Sequence, residues 1–312
     1  MKIAIIIPYF GEWPVWIDLY FFSCSKNEEI DWFFFIDCEI PATYSSNLHF
    51  IETSFYDYCQ LASERLNIEF YPADPYKLCG LKPFYGYIHQ DVIAEYDFWG
   101  FGDVDIIWGN IKKFYTDKMF EKYDVFSSHA DRVSGHLAIL RNTWYYRELC
   151  FKIKDWQSKL QHVEAIPLDE ADFSWLVYPQ SKYINKLYSK ILRRLLNWRN
   201  AWVFYYTLVP VLNFLLFTSR RRLYFKEQHT TPILSDDGLT CKHDADTWYY
   251  YNGELTNNKT NKEYIYLHFM IFKHNLYRKN YYWTDKFYHL PTVINSNKRI
   301  IVNKAGFYSD LI

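Results

Sequence analysis

The stretch that decides the fold is Phe98-Trp99-Gly100-Phe101-Gly102-Asp103-Val104-Asp105-Ile106-Ile107-Trp108, in which two aspartates interrupt an apolar run. Residues i and i+2 of an extended chain point to the same side, so we expect Asp103 and Asp105 to face one point at the rim of a sheet. Adjacent carboxylates in apolar surroundings are unfavourable unless a cation lies between them. A hard divalent metal is the usual cation, and one with open positions commonly holds phosphates. The alternative is a solvated turn, which the apolar flanks disfavour.

Composition excludes some classes of function. The chain has 312 residues, enough for one large domain or two small ones. Its net charge of −1 gives no electrostatic case for binding nucleic acid. The six cysteines form no CxxC pair and lie in apolar segments, as is typical of reduced thiols in the cytoplasm. The apolar run Ile3–Ile7 at the start predicts a first strand rather than a signal peptide, so we expect a cytoplasmic protein.

Strand and helix patterns alternate along the first half of the chain. The apolar runs that predict strands are Ile3–Ile7, Trp32–Ile36, His49–Ile51, the run before Asp103, Tyr123–Ser128 and His136–Leu140. The predicted helices are Trp13–Ser25, Ser54–Leu66 with Ser54 as its N-cap, and Phe84–Ile93. This alternation predicts an α/β sheet, in which ligands gather at the carboxyl ends of parallel strands. Gly11, Asp37 and the two aspartates follow such ends.

Residues 186–225 form a basic and aromatic segment. Arginines flank an apolar run over residues 201–217, which Pro210 and Asn213 interrupt. Such a segment fits a helix or a hairpin that lies in the surface of a membrane with anionic lipids. A buried core helix with solvated arginines at its ends is the equal alternative, and a transmembrane helix is a third, although the run is short for one.

Several of these stretches resemble one family. Phe101–Ile107 resembles the DxD motif of nucleotide-sugar glycosyltransferases with the GT-A fold. Ile5–Gly11 is similar to the first nucleotide-binding strand and loop of that fold. Lys82-Pro83 before a helix, and Ser134–Asn142 after the DxD, resemble bacterial enzymes encoded with capsule and O-antigen assembly genes. The resemblance covers about residues 1–180 and a short C-terminal piece.

The resemblance implies a fold and its division along the chain. We expect one GT-A domain over residues 1–312, with a mixed, mostly parallel α/β sheet flanked by helices. Residues 260–312 are expected to close the site, and residues 186–225 to form the helical segment that contacts the membrane surface.

The resemblance also implies a site for a metal and a sugar donor. Asp105 is the implied direct ligand of Mn²⁺ or Mg²⁺, and Asp103 the implied contact to ribose or, through water, to the metal. His268 is the implied third ligand, because its surroundings resemble the HF-containing motif of some retaining members, although the GxxKPW continuation is missing. A strand histidine satisfied by a neighbour is the alternative. Further donor contacts are expected at Pro8, Tyr9, Asp37, Lys82 and Lys273, each of which has an ordinary loop or surface residue as its alternative.

Transfer with inversion needs a base for the acceptor hydroxyl. The resemblance implies Asp169 or Glu170, in an acidic cluster that opens a predicted helix, and Asp131 is the second candidate. The alternative for the cluster is that acids in a first helical turn complement the helix dipole. Gly135 is expected to let the chain pass close to the sugar, and His136 to bind a sugar hydroxyl or to lie in a strand.

The sequence therefore predicts a metal-dependent transferase. It would move a hexose, with galactose or glucose as the first guesses, from a UDP-sugar to a saccharide or lipid-linked oligosaccharide at the inner face of the cytoplasmic membrane. The acidic cluster favours inversion, and the C-terminal histidine favours retention. A sugar nucleotidyltransferase is disfavoured because the loop after Ile7 has one glycine and no basic residue before Trp13. A non-catalytic assembly partner is disfavoured by the intact pair of aspartates.

Overall fold

A computed structural model describes residues 1–179, 222–232, 247–270, 298–303 and 306–311. Its strands are β1 Ile3–Tyr9, β2 Ile30–Ile36, β3 Leu48–Glu52, β4 Phe98–Gly102, β5 Ile106–Trp108, β6 Val125–Ser127, β7 Leu137–Arg141, β8 Leu223–Phe225, β9 Trp248–Tyr251, β10 Glu254–Asn257, β11 Tyr266–His268, β12 Lys298–Asn303 and β13 Gly306–Leu311. Its α-helices are α1 Ile17–Ser25, α2 Phe55–Leu66, α3 Tyr85–Ile88, α4 Ile111–Phe114, α5 Asp117–Lys122, α6 Trp144–Glu148, α7 Trp156–Gln161 and α8 Ser174–Val177.

The main sheet has the strand order β3-β2-β1-β4-β7-β6-β8. The first four of these strands pair in parallel, β7 runs antiparallel to both β4 and β6, and β8 runs parallel to β6. Apolar clusters cover both faces of this sheet, and the helices contribute to them. The expected mixed, mostly parallel α/β sheet flanked by helices is therefore confirmed.

This topology brings several chain segments to one edge of the sheet. The carboxyl ends of β1, β2 and β4 lie there because these strands are parallel. The start of β7 and the end of β6 lie at the same edge because Leu137 pairs with Gly102 and Ser127 pairs with Ala138. The end of β8 joins them, since Phe225 pairs with Ser127. Residues distant in sequence can thus build one site.

The helices follow the sequence expectations in part. In α2 the Ser54 hydroxyl accepts a hydrogen bond from the Asp57 amide at 3.0 Å, as predicted for an N-cap. Helix α1 begins at Ile17 instead of Trp13, after a turn closed by a hydrogen bond from the Ile17 amide to the Pro14 carbonyl at 2.9 Å. The predicted helix over residues 84–93 is confirmed only over Tyr85–Ile88, the four-residue helix α3, and turns follow it.

A 3₁₀ helix, Pro75–Phe84, precedes the four-residue helix α3 in that region. Pro83 lies inside the 3₁₀ helix and has no amide hydrogen to donate, which disfavours a regular α-helix through this point. The two tryptophans that flank the DxD, Trp99 and Trp108, are aromatic residues that could in principle stack on sugar rings, but both side chains are fully buried in the core and offer no such surface.

The C-terminal strands form a separate small sheet with the order β10-β9-β12-β13. A third apolar cluster, which includes Leu19, Ile107 and Leu267, joins this sheet to α1 and to the β5–β11 pair. Residues 186–221 and Lys273 lie outside the described residues. The last residues of the expected helical segment, Leu223–Phe225, form the edge strand β8, so the helix does not extend to residue 225. None of the helices in the described ranges has the length and apolarity needed to span a bilayer.

Candidate metal and donor site

The two aspartates of the DxD lie on a bend between two sheets. Strand β4 ends at Gly102, the chain bends at residues 104–105, and β5 begins at Ile106. Strand β5 leaves the main sheet and pairs with β11. The expected extended backbone is therefore wrong for Asp103 and Asp105, but both carboxylates still approach one residue, His268.

His268 reaches the bend through the pairing of β11 with β5. In this register His268 lies opposite Ile106, and the Phe269 amide donates to the Asp105 carbonyl at 3.2 Å. Its Nε2 lies 3.4 Å from Asp105 Oδ2, and its side chain is only 4% exposed. One ligand atom each from Asp103, His136 and His268 lies within 4.8 Å of the others. The residues implied as metal ligands by resemblance are thus neighbours in space.

His136 belongs to the same group, although the sequence predicted for it either a contact to a sugar hydroxyl or a place in a strand. Its ring centroid lies 3.7 Å from that of His268. Burial, and then the neighbouring imidazoles of His268 and His129, hold the pKa of His136 well below its ordinary value, so the ring is neutral at pH 7. Nδ1 of His136 and Nδ1 of His268 are both buried and have no hydrogen-bond partner among the described residues.

Lys82 is the buried cation of the site. The 3₁₀ helix directs its ammonium into the site, where Nζ donates to Asp103 Oδ1 at 2.5 Å and to the Gly135 carbonyl at 3.0 Å. Asp169 Oδ2 lies 3.8 Å away, and the Lys82 side chain is 8% exposed. Burial alone would lower the pKa of the ammonium, but Asp103 and Asp169 raise it above its usual value. Lys82 is therefore charged, and it is not an ordinary surface lysine.

The acidic cluster forms a single π-helical turn, Asp169–Phe173, that faces Gly135. A Cβ added at Gly135 would lie 2.9 Å from Asp169 Oδ2 and 3.4 Å from Glu170 Oε1, so any larger residue would force the Asp169 carboxylate to shift. Burial raises the pKa of Asp169, although Lys82 acts in the opposite direction. Both carboxylates are thus in the site, with Asp169 almost inaccessible and the side chain of Glu170 34% exposed.

Arg132 connects the remaining acids. Its Nε donates to Glu170 Oε2 at 3.3 Å, and one terminal nitrogen donates to Asp131 Oδ1 at 2.9 Å. The Glu170 carboxylate also accepts the Gly135 amide at 3.2 Å. Burial works to raise the pKa of Glu170, but Arg132 and His129 hold it below its ordinary value. Asp131 is therefore engaged by its neighbour in sequence, and Glu170 is ionised.

The expected donor residues of the first strands lie at the same edge of the sheet. Pro8 and Tyr9 end β1, and Asp37 follows β2 and accepts the Gly11 amide at 2.7 Å. The Tyr9 ring stacks on Trp13 with centroids 4.9 Å apart and planes at 15°. Sequence reasoning did not single out Trp13 for this site; only its distance of four residues from Tyr9 in the same loop pointed to it.

Fixed charge at the centre of the site is negative. The carboxylates of Asp103 and Asp169 contact the one buried ammonium, a third carboxylate, that of Asp105, contacts His268, and the adjacent histidine ring of His136 is neutral. Carboxylate oxygens with one imidazole are a donor set that Mn²⁺ and Mg²⁺ accept. The Nδ1 atoms of His136 and His268, which have no hydrogen-bond partner in the described ranges, are further possible ligands of a cation. The residues present therefore fit a divalent cation.

The solved structures that a structural comparison finds share little sequence with this chain. The galactosyltransferase LgtC, in complex with donor and acceptor sugar analogs, is 10% identical, with 55% of this chain and 72% of that chain covered and a TM-score of 0.31. Mouse xyloside xylosyltransferase 1 is 10% identical, covering 57% and 82%, with a TM-score of 0.31. The glycosyltransferase GlyE of Streptococcus pneumoniae TIGR4 is 12% identical, covering 76% and 55%, with a TM-score of 0.34.

Sequence comparison gives a different kind of match. No curated protein matches the chain significantly. A family model does match, and it spans almost the whole length, from residue 5 to residue 298. The chain therefore belongs to the family of unknown function DUF6625.

Proposed function

We propose that this protein is a metal-dependent glycosyltransferase of the GT-A type that uses a nucleotide-sugar donor. The observation that carries the proposal is the meeting of Asp103, Asp105 and His268 beside the buried Lys82, at the carboxyl edge of a mixed α/β sheet. Ligands of such sheets bind at this edge. The excess of carboxylates favours a cation there, and a cation with open positions favours a diphosphate.

Asp103, Asp105 and His268 would hold the metal, which we take to be Mn²⁺ or Mg²⁺. When bound, the ion neutralises the negative charge that develops on the departing nucleoside diphosphate. Lys82 is already charged and fixed by Asp103 and the Gly135 carbonyl, so it adds a positive charge beside the phosphates at no cost of reorganisation.

The nucleoside would lie along the ends of β1 and β2. Tyr9 and Trp13 offer a stacked aromatic surface for a base. Asp37 is exposed and offers an acceptor for ribose or uracil, and Pro8 belongs to the same loop. UDP is our proposed carrier, and galactose or glucose the proposed sugar. Lys273 remains a prediction as a diphosphate contact.

Glu170 is our proposed base for the acceptor hydroxyl. It is ionised, partly exposed and hydrogen-bonded to the Gly135 amide, in direct contact with a residue that has no side chain. In the step, Glu170 takes the hydroxyl proton while the acceptor oxygen bonds to the anomeric carbon and the diphosphate leaves with its electron pair. This arrangement favours inversion.

Asp169 is nearly inaccessible, so we assign it the positioning of Lys82. Asp131 positions Arg132, which in turn holds Glu170. His136 lies beside the residues that would hold the metal, and it would bind a sugar hydroxyl.

The acceptor would be a saccharide or a lipid-linked oligosaccharide of a bacterial surface polysaccharide, such as a capsule or O-antigen. The resemblance of Ser134–Asn142 to enzymes of that class supports this assignment. The basic and aromatic segment, without its last residues in β8, would bring the cytoplasmic enzyme to the inner membrane surface.

A thermal-shift screen of nucleotide sugars, with and without Mn²⁺, tests the proposal. A ligand at ~100 times its Kd stabilises by about 2.7 kcal/mol, which corresponds to a rise in Tm of roughly 5 °C for a chain of this size. We expect such a rise with UDP-sugars in the presence of Mn²⁺ only, together with slow release of UDP. Asp105→Ala should abolish both.

The matched control is Asp91→Ala, because Asp91 is 70% exposed and pairs with Arg65, outside the site. It should keep the full shift. If no nucleotide sugar raises Tm in the wild type, or if Asp105→Ala responds like Asp91→Ala, the proposed function is wrong.

A further inference from the structure

A second cluster of metal-ligating side chains lies beside the first. It contains His129, His136 and Glu170, with one ligand atom from each within 4.8 Å of the others. His129 follows the end of β6, His136 precedes β7, and Glu170 comes from the π-helical turn. Only His136 is shared with the group that includes Asp103.

One ring nitrogen of His129 is next to a carboxylate and the other has no protein partner in the described ranges, as is common for histidines that bind a metal. Its Nδ1 lies 3.4 Å from Glu227 Oε2, and Glu227 follows β8 at the same edge of the sheet. Its other nitrogen, Nε2, is buried and has no partner within the part of the chain that the structure describes. A carboxylate that fixes one ring nitrogen and leaves the other for a metal is the common outer arrangement of histidine ligands. A buried imidazole nitrogen with no partner is costly unless a ligand satisfies it.

We propose that His129, His136 and Glu170 form a second cation site, for a zinc-class ion, with Glu227 positioning His129. The first site then retains Asp103, Asp105 and His268, so no residue has to serve both ions. Two imidazoles and one carboxylate are a common donor set for zinc with an open fourth position.

The two sites differ in their preferred ion. The first is dominated by carboxylates and suits Mn²⁺ or Mg²⁺. The second has two imidazoles, which bind ions late in the first transition row more tightly. A binding experiment can therefore distinguish the two sites, because one prefers zinc and the other manganese.

Arg132 is the positive charge next to the second site. It pairs with Glu170 at 3.3 Å and with Asp131 at 2.9 Å. When an ion takes the Glu170 carboxylate, Arg132 keeps its salt bridge to Asp131, so no buried charge is left unpaired. If the transferase proposal holds, zinc binding withdraws the proposed base, and zinc binding and transfer exclude each other.

Equilibrium dialysis of the full chain, first freed of metal with a chelator, measures the site without an activity assay. The probe is Zn²⁺, counted as equivalents bound per chain. We expect His129→Gln and Glu170→Gln each to bind one equivalent fewer than the wild type. Glu227→Gln should keep the stoichiometry and bind that equivalent about 10- to 100-fold more weakly.

Two controls complete the test. His162→Gln removes an exposed histidine whose Nδ1 accepts only a local amide, and it should bind as the wild type does. Asp105→Ala should keep the equivalent that His129→Gln loses. Far-UV circular dichroism must show that each variant is folded. The proposal is overturned if folded His129→Gln and Glu170→Gln bind as much zinc as the wild type, or if Asp105→Ala and His129→Gln lose the same equivalent.

Discussion

Replacing Lys82 by methionine tests whether the buried charges of the site stabilise one another. The side chains of Lys82 and Asp169 are 8% and 6% exposed, and Asp103 is 26% exposed. Removing one partner of a buried ion pair costs about 3–5 kcal/mol, because the other charge is left without compensation. We expect a cost of about 3 kcal/mol, near the lower limit, since water still reaches Asp103.

Urea unfolding at pH 7, in the absence of divalent ions, gives the free energy for wild type, Lys82→Met, Asp169→Asn and the double variant. The double variant should lose less than the sum of the single changes, by roughly 1–3 kcal/mol, because the two residues interact. Lys113→Met is the control. Lys113 pairs with Glu263 at the surface, and its loss should leave the midpoint almost unchanged.

The pH dependence of the same variant has a definite sign. Burial raises the pKa of Asp169 in the folded state, and Lys82 opposes this. Without Lys82 the pKa rises further, so the folded variant binds a proton that the unfolded chain has already released. Its stability therefore increases, relative to wild type, as pH falls from 7 towards 5. Three results would each refute this reasoning. They are a loss of unfolding free energy under 1 kcal/mol in Lys82→Met at pH 7, strictly additive losses in the double variant, and a difference in stability between Lys82→Met and wild type that grows as pH falls.

Two other perturbations test the site and the core. Gly135→Ala places a methyl group 2.9 Å from Asp169 Oδ2. We expect this variant to lower kcat/KM for UDP release by about 10- to 100-fold and the free energy of unfolding by about 1–3 kcal/mol. A variant with the wild-type rate would contradict the geometry. Nε2 of His89 lies 2.8 Å from the Tyr58 hydroxyl, and burial is the main reason that the pKa of His89 is lowered to about 3. The unfolded chain therefore takes up a proton at this residue below pH 6.5, while the folded chain does not. The wild type should lose about 2 kcal/mol from this residue between pH 7 and pH 5; His89→Gln should lack that part of the loss in urea titrations, and equal slopes would count against it.

Much of the sheet could be read from the sequence because its signals are local. Runs such as Ile3–Ile7 are apolar without alternation, as expected of strands covered on both faces. Ser54, as an N-cap residue, indicates the start of α2. The bend after Gly102 could not be read in this way. It exists because β5 pairs with β11 instead of a strand of the main sheet, and a three-residue pairing between distant segments leaves no periodic signal.

The site shows the same division. Asp103 and Asp105 were found from composition within a short window, which needs no knowledge of tertiary contacts. From the sequence, Lys82 is either a contact to the donor or a surface lysine, and its burial beside two carboxylates decides against the surface alternative. His129 gave no signal beyond its position in a polar loop, because its partner Glu227 comes from a strand nearly one hundred residues away.

The chain passes close to the backbone of His136 at the end of β4, and this contact brings the two clusters of metal-ligating residues next to each other. A Cβ added at Gly102 would lie 2.9 Å from the His136 carbonyl oxygen. A larger residue there would push the start of β7 away and separate His136 from His268, whose rings are 3.7 Å apart. The same displacement would carry His136 away from Glu170. Because one glycine sets the spacing for both clusters, the two proposed cation sites are expected to be coupled: an ion that draws His136 towards His129 changes the space beside the DxD carboxylates.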